Sequence, residues 1–312
     1  IKYLNKKDII MKKKVIIWIA AILIVLNASA QNTDIYYINA PRFTHPLLEK
    51  WIQEYKKVKP EVNLTIAKSA SDKKNSSLDI QLFEENPVSR TGLKTVYFGA
   101  YAILPVTTRN SEADKILAKK ELNKERLKKL LFVNDDFEEH PVKKDNTDDK
   151  IIIYTGNSNL SVSIPYASYF GKEASSFKGR RIVGDDVFLN IAIQKDPNGL
   201  TLNAIPNLYD IQSRRLKNDL SIIPLGLNKD QQTALSSLDA LLNILENTNV
   251  EGIPVEKIGF TYKNDNDALN KFVAWILEIG ETYNHQYGLL QLKAKDVSKE
   301  TSKTKNLLTA EK

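Results

Sequence analysis

The sequence has no cysteine and only three histidines, His45, His140 and His285. Without cysteine, a disulfide framework and a thiolate metal site are both excluded. The histidines lie far apart in the chain and show no His-x-x-x-His spacing, the pattern that places two zinc ligands on one helix face. We therefore expect neither a bound metal nor any other cofactor.

The motifs of common catalytic sites are also missing. The chain contains no Gly-x-Ser-x-Gly, no glycine-rich phosphate loop ending in Lys-Ser/Thr, and no His-Glu-x-x-His. Adjacent acids such as Asp185 and Asp186 point apart on a helix or strand, so we interpret them as a helix start and not as a catalytic pair. The sequence predicts a protein that is not an enzyme.

Only one methionine is present, and it begins a targeting segment. Met11 is followed by three lysines, by an apolar run over residues 15–26, and by Asn-Ala-Ser-Ala at 27–30. This order is typical of a secretory signal peptide, and the apolar run is shorter than the roughly 20 residues that a spanning helix needs. We predict a signal peptide over residues 11–30 and export to the periplasm.

Cleavage is expected after Ala30, which makes Gln31 the first residue of the exported chain. Residues 1–10 would then precede the true start. No membrane span is expected after cleavage.

Little net charge remains once the leader is removed. The full chain has 45 Lys+Arg and 38 Asp+Glu, and removing the six lysines and one aspartate of residues 1–30 leaves 39 and 37. The basic character therefore belongs largely to the leader. It gives no support to nucleic-acid binding, and no nucleic-acid partner is expected.

Hydrophobic periodicity predicts strands that alternate with helices, which is typical of α/β domains. About 280 residues exceed what one hydrophobic core usually holds, so two lobes are expected. We predict a two-lobed clamshell in which each lobe is a mostly parallel sheet flanked by helices, with two strands crossing at the hinge. The predicted divisions are lobe 1 over 31–104 and 226–292, lobe 2 over 105–225, and a disordered polar tail over 293–312.

The most informative single segments are a helix and a long strand. Leu47, Leu48, Trp51 and Tyr55 recur at three- and four-residue spacings, and Pro60 follows, which predicts a helix over 43–58. The apolar run over 96–106 predicts a buried strand that could cross between the lobes.

Four stretches carry a resemblance to a known family. The mature chain resembles the periplasmic phosphate-binding proteins of ABC importers, in the divergent form of Bacteroidetes-type bacteria, over roughly residues 34–292. The stretches are 47–62 (Leu-Leu-Glu-Lys-Trp-Ile to Pro-Glu-Val), Leu78-Asp79-Ile80-Gln81, 122–132 (Leu-Asn-Lys-Glu-Arg to Leu-Leu-Phe), and 154–171, which ends in Tyr-Ala-Ser-Tyr-Phe-Gly.

The resemblance implies an oxyanion site between the lobes. Backbone N–H groups and hydroxyls before a helix are suitable phosphate donors, and a carboxylate such as Asp79 could accept a proton from HPO₄²⁻. The family's first turn, which binds phosphate, corresponds here to residues 39–42. The candidate ligand-binding residues are Thr155, Asn157, Ser158, Asn159, Ser161, Asp79, Ala40 and Arg42.

The sequence also departs from the family pattern. The family's loop arginine is absent and Gly156 stands near its place, so Arg42, Arg90 and Arg214 are candidate replacements. Ser and Asn before a helix are also ordinary N-caps, and that interpretation stays open.

Three functions follow as hypotheses. The first is a monomeric solute-binding protein that carries phosphate or a related oxyanion to a membrane permease. The second is a degenerate relative that keeps the fold and serves as a sensor, an adaptor or a binder of something else. The third, an exported hydrolase, has the least support from the residues.

Overall fold

The computed structural model describes residues 34–82, 92–119, 122–133, 147–223, 225–263 and 265–308. The predicted signal peptide, residues 1–10 and Arg90 lie outside this part of the chain. None of the helices described has the length and apolar composition needed to cross a membrane.

The described residues build one nine-stranded sheet, with strand order β2-β1-β3-β11-β4-β7-β5-β6 and with β10 paired to β4. A separate two-stranded sheet joins β8 and β9. The strands are β1 Ile35–Asn39, β2 Asn63–Ile66, β3 Leu78–Gln81, β4 Leu93–Thr108, β5 Ile152–Gly156, β6 Arg180–Ile182, β7 Gly199–Ala204, β8 Tyr209–Asp210, β9 Arg215–Leu216, β10 Leu220–Ile222 and β11 Val255–Lys263.

The large sheet has two parallel ends, which we call the first arm (β2, β1, β3) and the second arm (β7, β5, β6). Antiparallel β11 and β4 lie between them. The beginning of β4 pairs with β11 and its end pairs with β7 and β10, so this one strand belongs to both arms. The predicted α/β class and the crossing strand are confirmed, while the lobe boundaries stay a prediction.

Helices cover the sheet. They are α1 His45–Val58, α2 Ala70–Lys74, α3 Glu112–Ala118, α4 Lys124–Leu131, α5 Ser163–Tyr169, α6 Val187–Gln194, α7 Ile205–Leu208, α8 Lys229–Ala234, α9 Leu238–Asn247, α10 Asp267–Glu278 and α11 Ala294–Leu308.

Helix α1 shows how spacing becomes packing. Leu47, Leu48, Trp51 and Tyr55 form its buried face. The Trp51 ring meets Phe98 edge-on, with the ring centroids 4.9 Å apart. Such aromatic contacts add to the free energy gained by burying their area, which fixes α1 on the centre of the sheet.

The predicted disordered tail is wrong over residues 294–308, which form α11 and pack on α10 and β4. Glu300 is buried, and its Oε2 accepts a hydrogen bond from the backbone N–H of Tyr97 at 3.0 Å. Tyr97 lies where the register between β4 and β11 shifts. The buried carboxylate of Glu300 therefore accepts a hydrogen bond from the backbone at the β-bulge and helps to order this polar segment. Local periodicity does not reveal an interaction between residues so far apart in the chain.

Candidate functional site

A narrow cavity lies where turns from the two arms meet. The turn after β1 contributes Pro41, Arg42 and Phe43. The opposite wall consists of Ser158 and Leu160 after β5, residues 184–187 at the start of α6, and Asn207 in α7. Its interior volume is about 10 Å³, which is room for one water-sized sphere. The carboxyl ends of parallel strands are where ligands bind in open α/β sheets, so this cavity is the candidate site.

Two of the eight sequence-predicted residues, Arg42 and Ser158, line this cavity, one from each arm. Thr155 and Ser161 are buried behind it, whereas Asn157 and Asn159 are exposed on the turn.

The other two candidates on the first arm make structural contacts. Asp79 Oδ1 accepts hydrogen bonds from Asn39 Nδ2 and from Ser76 Oγ, both at 2.9 Å, so it ties β3 to the end of β1. The backbone carbonyl of Ala40 lies 3.2 Å from the ring Nε2 of His45. Neither residue lines the cavity, so the structure does not bring Asp79 to the place that the resemblance implied.

Arg214, a candidate replacement for the missing loop arginine, is also elsewhere. Its guanidinium pairs with Asp239 and donates to the backbone carbonyls of His285 and Gln286. These bonds hold the β8–β9 hairpin against the segment after α10, and they direct the Arg214 side chain away from the candidate site.

The main functional candidate that sequence reasoning missed is Asp186. Its carboxylate turns towards the β5–α5 loop, where Oδ1 accepts from Ser161 Oγ at 2.7 Å and Oδ2 accepts from the backbone N–H of Val162 at 2.8 Å. The side chain makes no capping hydrogen bond to α6, although Asp186 stands at the N-cap of that helix. The donors predicted for an external anion are therefore held by a carboxylate of the chain itself.

Burial sets the electrostatics of Asp186, which is only 7% exposed. Loss of water around the carboxylate raises its pKa to about 6, and the hydrogen bonds from Val162 and Ser161 offset only part of that rise. The neighbouring charge of Asp185 raises the pKa of Asp186 further.

A glycine makes this arrangement possible. A Cβ at Gly156 would overlap both Ser161 Oγ and Asp186 Oδ1. The backbone N–H of Gly156 donates to Ser163 Oγ at 3.1 Å, and the Ser161 and Ser163 hydroxyl oxygens are also 3.1 Å apart. The loop thus forms a compact polar cluster that closes on Asp186.

Three buried asparagines hold the backbone of this region. Asn203 Nδ2 donates to the carbonyl oxygen of Asp186 at 2.8 Å and to Asn190 Oδ1 at 3.1 Å. Asn207 Nδ2 donates to Asn203 Oδ1 at 2.8 Å. Because buried amides are costly to leave unpaired, this network fixes the start of α6 and thereby aims the Asp186 side chain.

The balance of charge in the cavity is acidic. Asp185 and Asp186 both line it, against the single guanidinium of Arg42. Two carboxylates and one cation disfavour a doubly charged anion. Within the part of the chain that is described, no three His, Asp or Glu side chains gather as metal ligands.

A larger groove of about 710 Å³ lies away from these residues. It runs between the end of α9, the start of β11 and residues 290–296, and it includes Glu246 and Lys257. None of the sequence-predicted residues lines it. We assign the candidate site to the smaller cavity because, among the residues that the structure describes, turns of both arms meet there and bring polar groups together.

No protein-family model matches the chain. No curated protein matches it either.

Solved structures do resemble it. One is described as a phosphate ABC transporter substrate-binding protein with bound phosphate, from Clostridium perfringens, at 17% identity and a TM-score of 0.54, covering 83% of this chain and 100% of that one. Another is an ABC-type phosphate transport receptor from Vibrio cholerae, at 12% identity and a TM-score of 0.55, with the same coverage. The regulatory domain of a LysR family regulator from Neisseria meningitidis matches at 13% identity and a TM-score of 0.47. At these identities the first two likenesses establish the fold, which is that of periplasmic binding proteins.

Proposed function

We propose that the protein is an exported, non-catalytic solute-binding protein that holds a small solute between its two arms, and that phosphate dianion is not this solute. The observation that carries the proposal is the candidate cavity itself. Residues of both arms meet across it, and Asp186 has already taken the hydroxyl and N–H donors behind it. The cavity has room for one water-sized sphere, so a solute enters when the two arms move apart and is held when they close around it, which suits capture and release.

Export is the part of the proposal that depends on the sequence alone. Expression of the full chain in a Gram-negative host, followed by fractionation and N-terminal sequencing, is expected to give a periplasmic product that begins at Gln31. A product that keeps residues 11–30, or that stays in the cytoplasm, would contradict export.

The ligand test uses the chain from Gln31 to Lys312. Isothermal titration with phosphate near neutral pH is expected to show a Kd no tighter than about 1 mM, because the carboxylates of Asp185 and Asp186 repel the dianion. A thermal-shift screen of neutral, zwitterionic and cationic solutes is expected to reveal one that raises Tm. Micromolar phosphate binding would refute the exclusion of phosphate.

A matched pair of variants locates the site. Arg42→Gln removes the cation that lines the cavity, and it is expected to change the affinity for the identified solute by about tenfold or more. A neutral or zwitterionic solute that contacts the guanidinium should bind more weakly, and a cationic solute should bind more tightly. Arg215→Gln is the control, because Arg215 is exposed and lines a separate surface groove. Equal effects of the two substitutions would show that the solute binds outside the cavity.

Phosphate or a related oxyanion remains the second candidate ligand. Arg42 and Ser158 both line the cavity, and a guanidinium with a hydroxyl suits an oxyanion. This candidate predicts micromolar phosphate binding that Arg42→Gln removes, and it would make a membrane permease the partner. The titration above therefore decides between the two candidates.

A further inference from the structure

The loop between β5 and α5 binds the carboxylate of Asp186 in the way that it would bind an anionic ligand. Each of its oxygens has a donor from that loop, Ser161 Oγ at 2.7 Å and the Val162 N–H at 2.8 Å. Ser161 and Ser163 are themselves buried, so water does not compete for these hydroxyls.

The space for that carboxylate depends on a residue 30 positions away in the chain. A side chain larger than hydrogen at Gly156 would overlap Asp186 Oδ1 and Ser161 Oγ. The φ of Gly156 is not in the left-handed region, so backbone conformation does not require a glycine here. The requirement is the close approach of the acid.

We propose that Asp186 is the specificity-determining residue of the cavity, because it occupies the donors of the Ser161–Val162 turn and so excludes anions. Its carboxylate has room to do so because Gly156 has no side chain. This inference rests on the proposed function, in which the cavity binds a solute. It identifies the residue that determines the chemical class of that solute. Neutral and cationic solutes are admitted, and anions are rejected by a charge that belongs to the chain.

Other charged and titratable groups surround Asp186 and must be considered in any pH experiment. Asp185 precedes it on the same segment, and Arg42 lies across the cavity on the first arm. Tyr101 in β4 interacts electrostatically with Asp186. Lys217 donates to the backbone carbonyl of Asn207, which belongs to the asparagine network behind Asp186.

The test is a gain of anion binding, measured with inorganic sulfate and phosphate by isothermal titration near pH 7.5. Asp186→Ala frees both donors and removes the charge, and it is expected to tighten sulfate binding at least about a hundredfold relative to the wild type. Asp185→Asn is the control. It removes a carboxylate from the same cavity and leaves the donors of Ser161 and Val162 occupied, so it is expected to gain less than about tenfold.

The unaltered protein offers a second measurement that needs no substitution. Sulfate remains a dianion across the pH range used, whereas Asp186 takes up a proton as the pH falls through about 6. Sulfate binding by the wild type is therefore expected to strengthen between about pH 7.5 and pH 5, and the strengthening is expected to be absent or much smaller in Asp186→Asn.

The outcomes separate this inference from the proposed function. Sulfate binding that is unchanged in Asp186→Ala, or equal pH profiles for the wild type and Asp186→Asn, would overturn the role of Asp186 even if a cavity ligand is found. A gain of sulfate binding in Asp186→Ala supports it even if the solute screen finds no ligand. If Asp186→Ala does not fold, the comparison of the pH profiles of the wild type and Asp186→Asn decides.

Discussion

The buried carboxylate of Asp186 predicts a pH dependence of folding stability that runs opposite to the usual behaviour of paired acids. The pKa of this group is about 6 in the folded chain against 3.8 for a free aspartate. The folded state therefore binds more protons than the unfolded state between these values, and the free energy of unfolding falls as the pH rises through that window. A difference of about two units corresponds to about 3 kcal/mol at most.

The perturbation is Asp186→Asn, which keeps the shape of the side chain and removes its titration. Urea unfolding of both proteins near pH 4 and near pH 7.5 gives the free energies. The variant is expected to lose the contribution, so its stability relative to the wild type should rise by about 2 kcal/mol between the two pH values.

A change in the hydrogen bonds to Ser161 or Val162 in the variant shifts its free energy of unfolding by a similar amount at both pH values. Only the change of the stability difference with pH therefore reports the titration of Asp186. Asp185→Asn is the control, since Asp185 is only half-buried and its carboxylate accepts neither of these two hydrogen bonds. If the stability difference between wild type and Asp186→Asn does not change with pH, the burial argument for this carboxylate is refuted.

Two further predictions concern the fold. Glu300→Ala removes the carboxylate that accepts from the Tyr97 backbone N–H, and it should lower the free energy of unfolding by about 1–3 kcal/mol. The control, Lys299→Ala, changes an exposed residue of the same helix and should alter the free energy of unfolding by less than about 0.5 kcal/mol. Equal effects of the two substitutions in denaturant unfolding would show that α11 does not depend on this contact. Trp51→Phe removes the 2.7 Å hydrogen bond from Nε1 to the carbonyl oxygen of Gly280 together with part of a buried ring. It should lower the free energy of unfolding by about 2–4 kcal/mol in the same assay. A loss below about 1 kcal/mol would contradict that account.

Much of the architecture follows from local sequence patterns. The spacing of Leu47, Leu48, Trp51 and Tyr55 predicts α1 because a helix places residues three and four apart on one face. The continuous apolar run in β4 predicts a strand buried on both faces, and β4 is buried from Val96 to Val106. The alternation of strands and helices, which is also read from the local spacing of apolar residues, indicates the α/β class. These features depend on neighbours within a few residues, which is the range over which periodicity carries information.

The candidate site was predicted less completely. The sequence placed Arg42 and Ser158 among the candidates, and the structure puts both on the wall of one cavity. It also nominated Asp79, whose side chain instead ties β3 to β1, and it assigned Asp186 only to a helix start. A residue type suited to a ligand does not reveal which partner its side chain reaches.

The sequence alone determined the class of fold, the strand that crosses between the arms, and the absence of cysteine chemistry. Tertiary structure decided what occupies the donors of the β5–α5 loop and what orders the C-terminal helix. Asp186 reaches Ser161 across 25 residues, and Glu300 reaches Tyr97 across 203. Such contacts depend on how distant segments pack. A buried polar group must form a hydrogen bond, so once packing has set its surroundings it bonds to the donor or acceptor that lies within reach.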